Sequence, residues 1–409
     1  MTPLALSCLA QGKVVVGVDK VRGDNCILLE EKGAKIVYTH SKDNVKGASL
    51  VVYSLATENC PEVQFAQEMG IECVARQVFL ARQFDFFPHK IAICGTHGKT
   101  TATLLLSHAL KNLGIQNVCF AGAVVNNDNY QVSCVVAEGC EYKESFLSLH
   151  PDDVICLNVE YDHPDFFDSL EDVKRSFQKF FSQSKKVYTL FESDAKNTFN
   201  LSEKYSYQVK AGSELFLEIF KKGKSVLKID CPLPFWASQD VFAVACYLLE
   251  KGFSPQEIEK SLQGFGGIAR RWQTVDTKWG KVVVDYAHHP TQIEKALISA
   301  RQMGAKRLFI FFQPHTYTRT NALFDQFCSA LSQSPFVGIL PTFGARETSL
   351  PKWENLDEKL TKQIAQKTKA CLFENFEKVK DFIKSNCQKQ DLILLLGAGD
   401  VDKIANLLQ

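Results

Sequence analysis

The chain has 409 residues, 45% of them hydrophobic and 23% charged, too many for one ordinary domain and enough apolar side chains for several cores. Lys plus Arg number 47 against 46 for Asp plus Glu, so the net charge is +1 and no global field favours nucleic acid or an anionic membrane. The 14 cysteines stand singly in apolar runs such as "KIAICG" and "AVACYLL", which fits reduced core thiols of a cytoplasmic protein and excludes a disulfide framework or a zinc ribbon. No apolar run approaches the length of a bilayer span, so no membrane insertion is expected.

The N-terminal "MTPLALSCLAQGK" has no basic leader and reads as a first helix. Short strands are expected at Lys13–Asp19, Ala34–Tyr38 and Ser49–Ser54, then a helix near Val78–Gln83; the connector "FDFFPHK" marks a boundary near residue 88. A strand Lys90–Cys94, a glycine-rich turn and a helix Lys99–Leu113 stopped by Gly114 open a second block. Buried strands at Ser133–Ala137 and Asp153–Leu157 follow. An amphipathic helix over Leu170–Phe181 puts Phe177, Phe180 and Phe181 on one face. Phe199–Pro234 reads as short strands, and helices at Asp240–Lys251 and Ser254–Leu262 close the block.

From about Gly267 strands at 281–286, 307–312, 336–340, 370–373 and 391–397 alternate with helices at 290–303, 320–332, 356–368 and 376–386 and a terminal helix. This alternation predicts an α/β chain with largely parallel sheets and three domains, 1–87, 88–266 and 267–409, the outer two Rossmann-like and the central one built on a phosphate loop.

The stretch Gly95-Thr96-His97-Gly98-Lys99-Thr100-Thr101 carries the first chemistry. The standard phosphate loop reads G-x-x-x-x-G-K-[ST], and here its first glycine position holds Ile93. A strand before and a helix after still aim backbone N–H groups and a positive helix end at one place, where ATP phosphates can sit. Lys99 is expected to neutralise phosphate charge and the Thr100 hydroxyl to ligate Mg²⁺.

"VVAEGCEYKESF" and "CLNVEYDHPDFF" each place an acidic residue or His after a buried strand, where Glu138 and His163 can converge on the phosphates. Glu141 reads as a solvated carboxylate at a helix start, and Asp162 as either a helix cap or a support of the site. In "DYAHHPTQIEKAL" Asp285 ends a strand and Tyr286, His288 and His289 occupy the following loop, with a structural role favoured for His289. "FQPHTYTRT" brings His315 and Arg319 to the same sheet edge. In "GIARRWQ" Arg271 can swing onto a phosphate when domains close, whereas Arg270 reads as a solvated linker charge. "LLLGAGD" ends a strand on a tight turn or a further part of the site.

In this order, "GTHGKTT", "AEGCEYKESFL", "NVEYDH", "ARRWQ", "DYAHHPT", "FQPHTYTRT", "ARE" (345–347) and "GAGD" resemble the Mur ligase family along the whole chain. The pair "DYAHHPT" and "FQPHTYTRT" is similar to the branch that adds L-alanine. The resemblance implies a UDP-sugar domain, a central ATPase and an amino-acid domain, with ATP and Mg²⁺ as cofactors and UDP-N-acetylmuramate and L-alanine as substrates, in a monomer or homodimer. It implies that Gly95–Thr101 bind ATP, that Thr100, Glu138 and His163 hold metal, and that Lys99, Glu138, His163 and Arg271 act on the transferred phosphoryl. Asp285 is implied as the ribose contact, and Tyr286, His288, His315 and Arg319 as the amino-acid pocket.

Three departures stand out. The chain starts just after the family's first strand and glycine turn; the His-Asn-x-x-Asn signature near adenine is replaced by "PFWASQDVFAVAC"; and Thr316 stands where an arginine usually follows "QPH". A muropeptide-recycling ligase and a nucleotide-binding relative without turnover are the alternatives.

Overall fold

The computed structural model describes residues 1–122, 132–211, 215–230, 233–345, 347 and 353–409. The chain forms three α/β domains, each with helices packed on parallel strands. Among the described residues no helix is long and apolar enough to cross a membrane. Every described cysteine is a free thiol and most are buried.

The N-terminal part opens with the expected helix, Thr2–Ala10, which has Pro3 in its first turn. Its four strands form two separate parallel pairs, Val16–Val18 with Lys35–Val37 and Leu50–Tyr53 with Glu72–Ala75. The strand Glu72–Ala75 was not expected from sequence, because four residues of mixed polarity carry no clear period. Leu4, Phe79, Leu80, Phe84 and Phe87 pack into the core on one face of the central sheet, fixing this part to the next.

The central sheet is parallel throughout, in the order Thr198–Asn200, Lys186–Thr189, Asp153–Cys156, His89–Cys94, Cys134–Glu138, Asn117–Phe120. Side chains alternate between two cores as a strand requires: Ile91 and Ile93 go to one face, Ala92 and Cys94 to the other. Helices Lys99–Asn112, Ser238–Glu250 and Pro255–Leu262 cover the first face. Helices Arg76–Phe84 and Leu170–Ser182 cover the second, the latter capped by the Ser169 hydroxyl accepting from Asp172 N. The polar stretch after Asn200 forms a three-stranded antiparallel sheet, Tyr205–Ala211, Leu215–Lys221 and Lys224–Asp230.

The C-terminal sheet runs Gln273–Thr277, Gly280–Asp285, Leu392–Leu396, Leu308–Phe312, Phe336–Ile339, Lys369–Leu372. Its first strand is antiparallel and the rest are parallel. That edge strand is an addition to the sequence reading, since "QTVDT" lacks the apolar run of a strand buried on both faces. Leu392, Leu394 and Leu396 enter one core and Ile393 and Leu395 the other.

Phe177 lies at 1% exposure between Phe146 and Phe181, whereas Phe86 is 76% exposed. Phe177→Ala should therefore lower the unfolding free energy of the central domain by about 3–5 kcal/mol, and Phe86→Ala by no more than about 0.5 kcal/mol. Urea unfolding followed by circular dichroism checks this; equal effects would contradict the assigned core.

Candidate active site

The strand His89–Cys94 ends at a turn in which Gly95 has φ 138° and Gly98 φ 84°. Side chains are excluded at both positions. A Cβ on Gly95 would lie 3.1 Å from the backbone N and O of Asn158, and one on Gly98 would strike the Asp240 carboxylate. Ile93 is fully buried inside the strand, so the turn is built from Gly95 and Gly98 alone. The helix Lys99–Asn112 starts directly at the turn, leaving its first N–H groups directed at the loop. Asn158 braces the loop from the neighbouring strand: its Oδ1 accepts from His97 N at 2.8 Å and its Nδ2 donates to His97 O at 3.1 Å. Thr96 is tied to Glu160, its hydroxyl accepting from Glu160 N at 2.8 Å.

The Lys99 ammonium folds back onto the loop. It donates to Gly95 O at 2.6 Å and Thr96 O at 3.1 Å, and meets both Glu141 oxygens at 2.9 and 3.0 Å. Burial works against its charge, but Glu141 and Glu138 outweigh that and hold its pKa above the ordinary lysine range. Glu141 is thus not a solvated carboxylate; it is 2% exposed and serves as the counter-ion of Lys99. The 3-10 stretch that follows it, with left-handed Lys143 and Glu144, belongs to a run whose polarity alone reads as surface.

Thr100 Oγ1 donates to Glu138 Oε2 at 2.9 Å, and Gly122 N donates to the same oxygen at 2.8 Å. His163, at φ 57°, turns toward Glu141 (Nε2 to Oε1 3.7 Å) and against the Tyr142 ring at 4.6 Å. Burial lowers its pKa, so the ring is neutral near pH 7. Thr101 is buried on the core side of the helix.

The carboxyl edge of the C-terminal sheet faces this loop. Asp162 and Arg319, both 4% exposed, join the two domains in a two-point ion pair, Nε to Oδ1 2.7 Å and Nη2 to Oδ2 3.3 Å. Arg319 holds the Asp162 carboxyl well below its usual range despite the opposing effect of burial. Asp162 also accepts from His163 N at 2.7 Å, so it caps its own loop and supports the site at once. Arg319 Nη1 donates to His315 Nδ1 at 3.1 Å and His315 O at 3.2 Å. The His315 ring lies 5.9 Å from His288, whose Nδ1 donates to Tyr286 O at 2.8 Å. Burial, aided by Arg319, pushes His315 down to about 4 and His288 well below the ordinary value, so both rings are neutral at pH 7.

Asp285 accepts from Trp272 N and Ala287 N, each at 2.8 Å, and burial raises it to about 6 against the pull of Arg271. The Arg271 guanidinium covers the Tyr286 ring at 4.6 Å and, with Asp285, Gly98, Asp240 and Lys295, lines a small open cleft between the domains. Arg270 is not a free linker charge: its guanidinium donates to Gly399 O and pairs with Asp402 at 3.4 Å, holding the terminal "GAGD" turn. That turn is also gripped by Gln313, whose amide bonds Asp400 at 2.9 Å on both its donor and acceptor sides.

His289 is buried, as a structural role requires, yet its ring faces His97 of the phosphate loop at 4.5 Å. Thr316 starts the helix Tyr317–Ala322 at φ 68°, and Glu347 of "ARE" accepts from Tyr317 N at 2.6 Å; Arg346 lies outside the described residues. Sequence reasoning matched Glu347 only as part of "ARE" without giving it a role, and passed over Asp240 and Lys295. Asp240 sits at the end of "PFWASQD", where an acidic residue opening a helix reads as an ordinary first-turn carboxylate.

A glycine turn opening a helix and facing the carboxyl edge of a second doubly wound sheet defines a multidomain α/β protein whose candidate site lies at the domain junction. Three family models match in order: the Mur ligase family catalytic domain over 1–87, the middle domain over 93–217 and the glutamate ligase domain over 270–399. The chain belongs to the Mur ligase family. It is 32% identical to a UDP-N-acetylmuramate–L-alanine ligase of Acetivibrio thermocellus, covering 100% of this chain and 92% of that one. It is 31% identical to the enzyme of the same name from Agathobacter rectalis, covering 99% and 94%. In fold it is similar to the UDP-N-acetylmuramate-alanine ligase of Thermotoga maritima (TM-score 0.83, 23% identity, 100% and 95% covered). It is also similar in fold to a murein peptide ligase of Psychrobacter arcticus (TM-score 0.72, 19% identity, 100% and 95% covered).

Burial raises the Asp240 carboxyl to about 7, with Lys295 and Arg271 pulling the other way. The folded chain therefore binds this proton more tightly than the unfolded chain, whose carboxyl titrates near 4. Asp240 then costs nothing below about pH 4, and stability falls as pH rises from about 4 to about 7 and levels off above. The gain in unfolding free energy from Asp240→Asn should grow over that window by a few kcal/mol and stay flat beyond it. Denaturant titrations at several pH values check this; a difference independent of pH would contradict it.

Proposed function

We propose that the chain joins L-alanine to the carboxylate of UDP-N-acetylmuramate at the expense of ATP, in cytoplasmic synthesis of a peptidoglycan precursor. The observation that carries this reading is the placing of two sites against each other. Contacts run from Lys99 through Glu141, His163 and Asp162 to Arg319 and His315, so the glycine turn that would hold ATP and the cluster Tyr286, His288, His315 and Arg319 that would receive the amino acid are neighbours. Family membership and the alanine-ligase relatives support the same reading. In it residues 1–87 take the UDP portion, 88–266 the ATP and 267–409 the amino acid.

The chemistry follows from the groups present. The sugar's carboxylate oxygen attacks the γ-phosphorus of ATP, the bond to the ADP oxygen breaks, and an acyl phosphate forms. The neutral amine of L-alanine then attacks the acyl carbon, inorganic phosphate leaves and the nitrogen loses its proton. Lys99 and the loop N–H groups offset the crowding of negative charge on the phosphoryl. Arg271 approaches the same charge from the domain junction, and Asp285 stands beside it at the cleft wall. The Thr100 hydroxyl and Glu138 carboxylate, 2.9 Å apart, are an oxygen donor pair suited to Mg²⁺, with His163 on the adjoining loop. Bound there, the ion supplies charge neutralisation at the phosphates. Neutral His288 and His315 beside Arg319 receive the amino acid without adding positive charge, which leaves its amine free to lose a proton. The buried ion pair keeps the domains together and water out of a site whose intermediate hydrolyses.

Phosphate release from ATP should require UDP-N-acetylmuramate and L-alanine together; release with a muropeptide but not with L-alanine would favour the recycling reaction instead. Lys99→Ala should lower kcat at least about 100-fold with the fold retained, and wild-type turnover would refute the role of the loop. His315→Ala should raise KM for L-alanine more than KM for ATP. Equal rises would remove His315 from the amino-acid pocket.

A further inference from the structure

The side chains of His97, Glu160 and His289 form a grouping to which the chemistry above, which draws on the N–H groups of the loop, gives no role. His97 belongs to the phosphate loop, Glu160 to the loop after the strand Asp153–Cys156, and His289 directly precedes the helix Pro290–Gln302 of the C-terminal domain. The His97 and His289 side chains are 6% and 4% exposed, and Glu160 is 31% exposed. Both ring nitrogens of His97 and Nδ1 of His289 are buried without a hydrogen-bond partner. The Gln292 N–H at the start of the next helix is directed at the His289 side chain but completes no bond of ordinary geometry with Nδ1. Two buried imidazoles with idle nitrogens are costly unless something supplies the missing partner.

We propose that these three side chains are a binding site for a divalent transition metal of the zinc class. One ligand atom from each residue lies within 4.8 Å of the other two. Glu160 Oε2 stands 3.5 Å from His97 Nε2 and 3.8 Å from His289 Nδ1. Ligand atoms about 2.0–2.1 Å from a tetrahedral ion are about 3.3–3.4 Å apart, so two of the three edges already approach that spacing. The surroundings set the donors correctly. His289 Nε2 faces Tyr161 O at 3.3 Å, an acceptor, so this nitrogen carries the proton and Nδ1 presents its lone pair. Thr291 Oγ1 donates to Glu160 Oε2 at 2.7 Å and orients the carboxylate, while the partial exposure of Glu160 leaves room for water as a fourth ligand.

Two imidazoles and one carboxylate select Zn²⁺, Co²⁺ or Ni²⁺ over Mg²⁺, which takes an all-oxygen shell. This separates the site from the Thr100–Glu138 pair. An ion here bonds the phosphate loop to the C-terminal domain and adds a coordinate link beside the Asp162–Arg319 pair.

Cobalt chloride titrated into the full chain, with Mg²⁺ in excess, provides the test. A tetrahedral Co²⁺ site should give visible absorption bands that zinc chloride abolishes by displacement. His289→Ala and the nearly isosteric Glu160→Gln should each weaken Co²⁺ binding at least about tenfold. His40→Ala, at the separate His40–Cys60–Glu62 grouping, should leave the bands unchanged. Circular dichroism confirms that each variant is folded, and Glu160→Gln carries the test alone if His289→Ala does not fold. Absence of the bands, or bands that survive loss of Glu160 or disappear with His40, would overturn the site. The readout does not depend on ligase turnover, so it stands or falls apart from the proposed reaction.

Discussion

Lys99 is the charge around which the site is built. One ammonium gathers two loop carbonyls and a buried carboxylate, and so keeps the glycine turn in shape before any phosphate arrives. The low-dielectric surroundings would ordinarily drive such a lysine toward neutrality; Glu141 prevents that by being buried with it. A cation held by a carboxylate and loop carbonyls can exchange these partners for phosphate oxygens without being desolvated afresh. Glu141 is therefore as much a part of the glycine turn's support as the residues within the turn.

The second constraint is geometric. The parallel strands of two sheets turn their carboxyl edges toward each other, and most residues assigned to the chemistry lie at the last position of a strand, on the loop that leaves it or on the helix that follows, with Arg271 on the segment that enters the C-terminal sheet. The Asp162–Arg319 pair spans the junction, and bonds from Thr291 to Glu160 and from Lys295 to Gln239 lie beside it. Removing one partner of this buried pair would leave an uncompensated charge at the junction, so the two residues depend on each other across the domains. Neutral His288 and His315 lie beside Arg319, and the cationic Lys99 is reached from Asp162 through His163 and Glu141.

Much of this arrangement was legible in the sequence because it follows from strand ends. Glycines after "KIAIC", acidic residues after "CVVA", and the histidines after "KVVVDY" and "RLFIFF" are placed by local pattern alone. What escaped depends on distant partners. Glu141 looks like surface in "EGCEYKES" until Lys99, 42 residues away, is brought to it. Arg319 reads as a ligand-binding group, yet part of its charge is already met by Asp162, 157 positions earlier. Arg270 looks solvated until the last strand returns and offers Gly399 and Asp402. The edge strands Glu72–Ala75 and Gln273–Thr277 were missed because edge positions tolerate the polar residues that hide a strand's period.

The central claim is that a turn built on Gly95 and Gly98 alone, with Ile93 committed to the core, still gathers enough donors and positive charge to hold a triphosphate. Calorimetry of the purified chain with Mg·ATP tests it most directly. The account predicts saturable heat at a single site, with half-saturation between about 1 μM and 1 mM. A correctly folded chain that gives no heat up to millimolar ATP would contradict it.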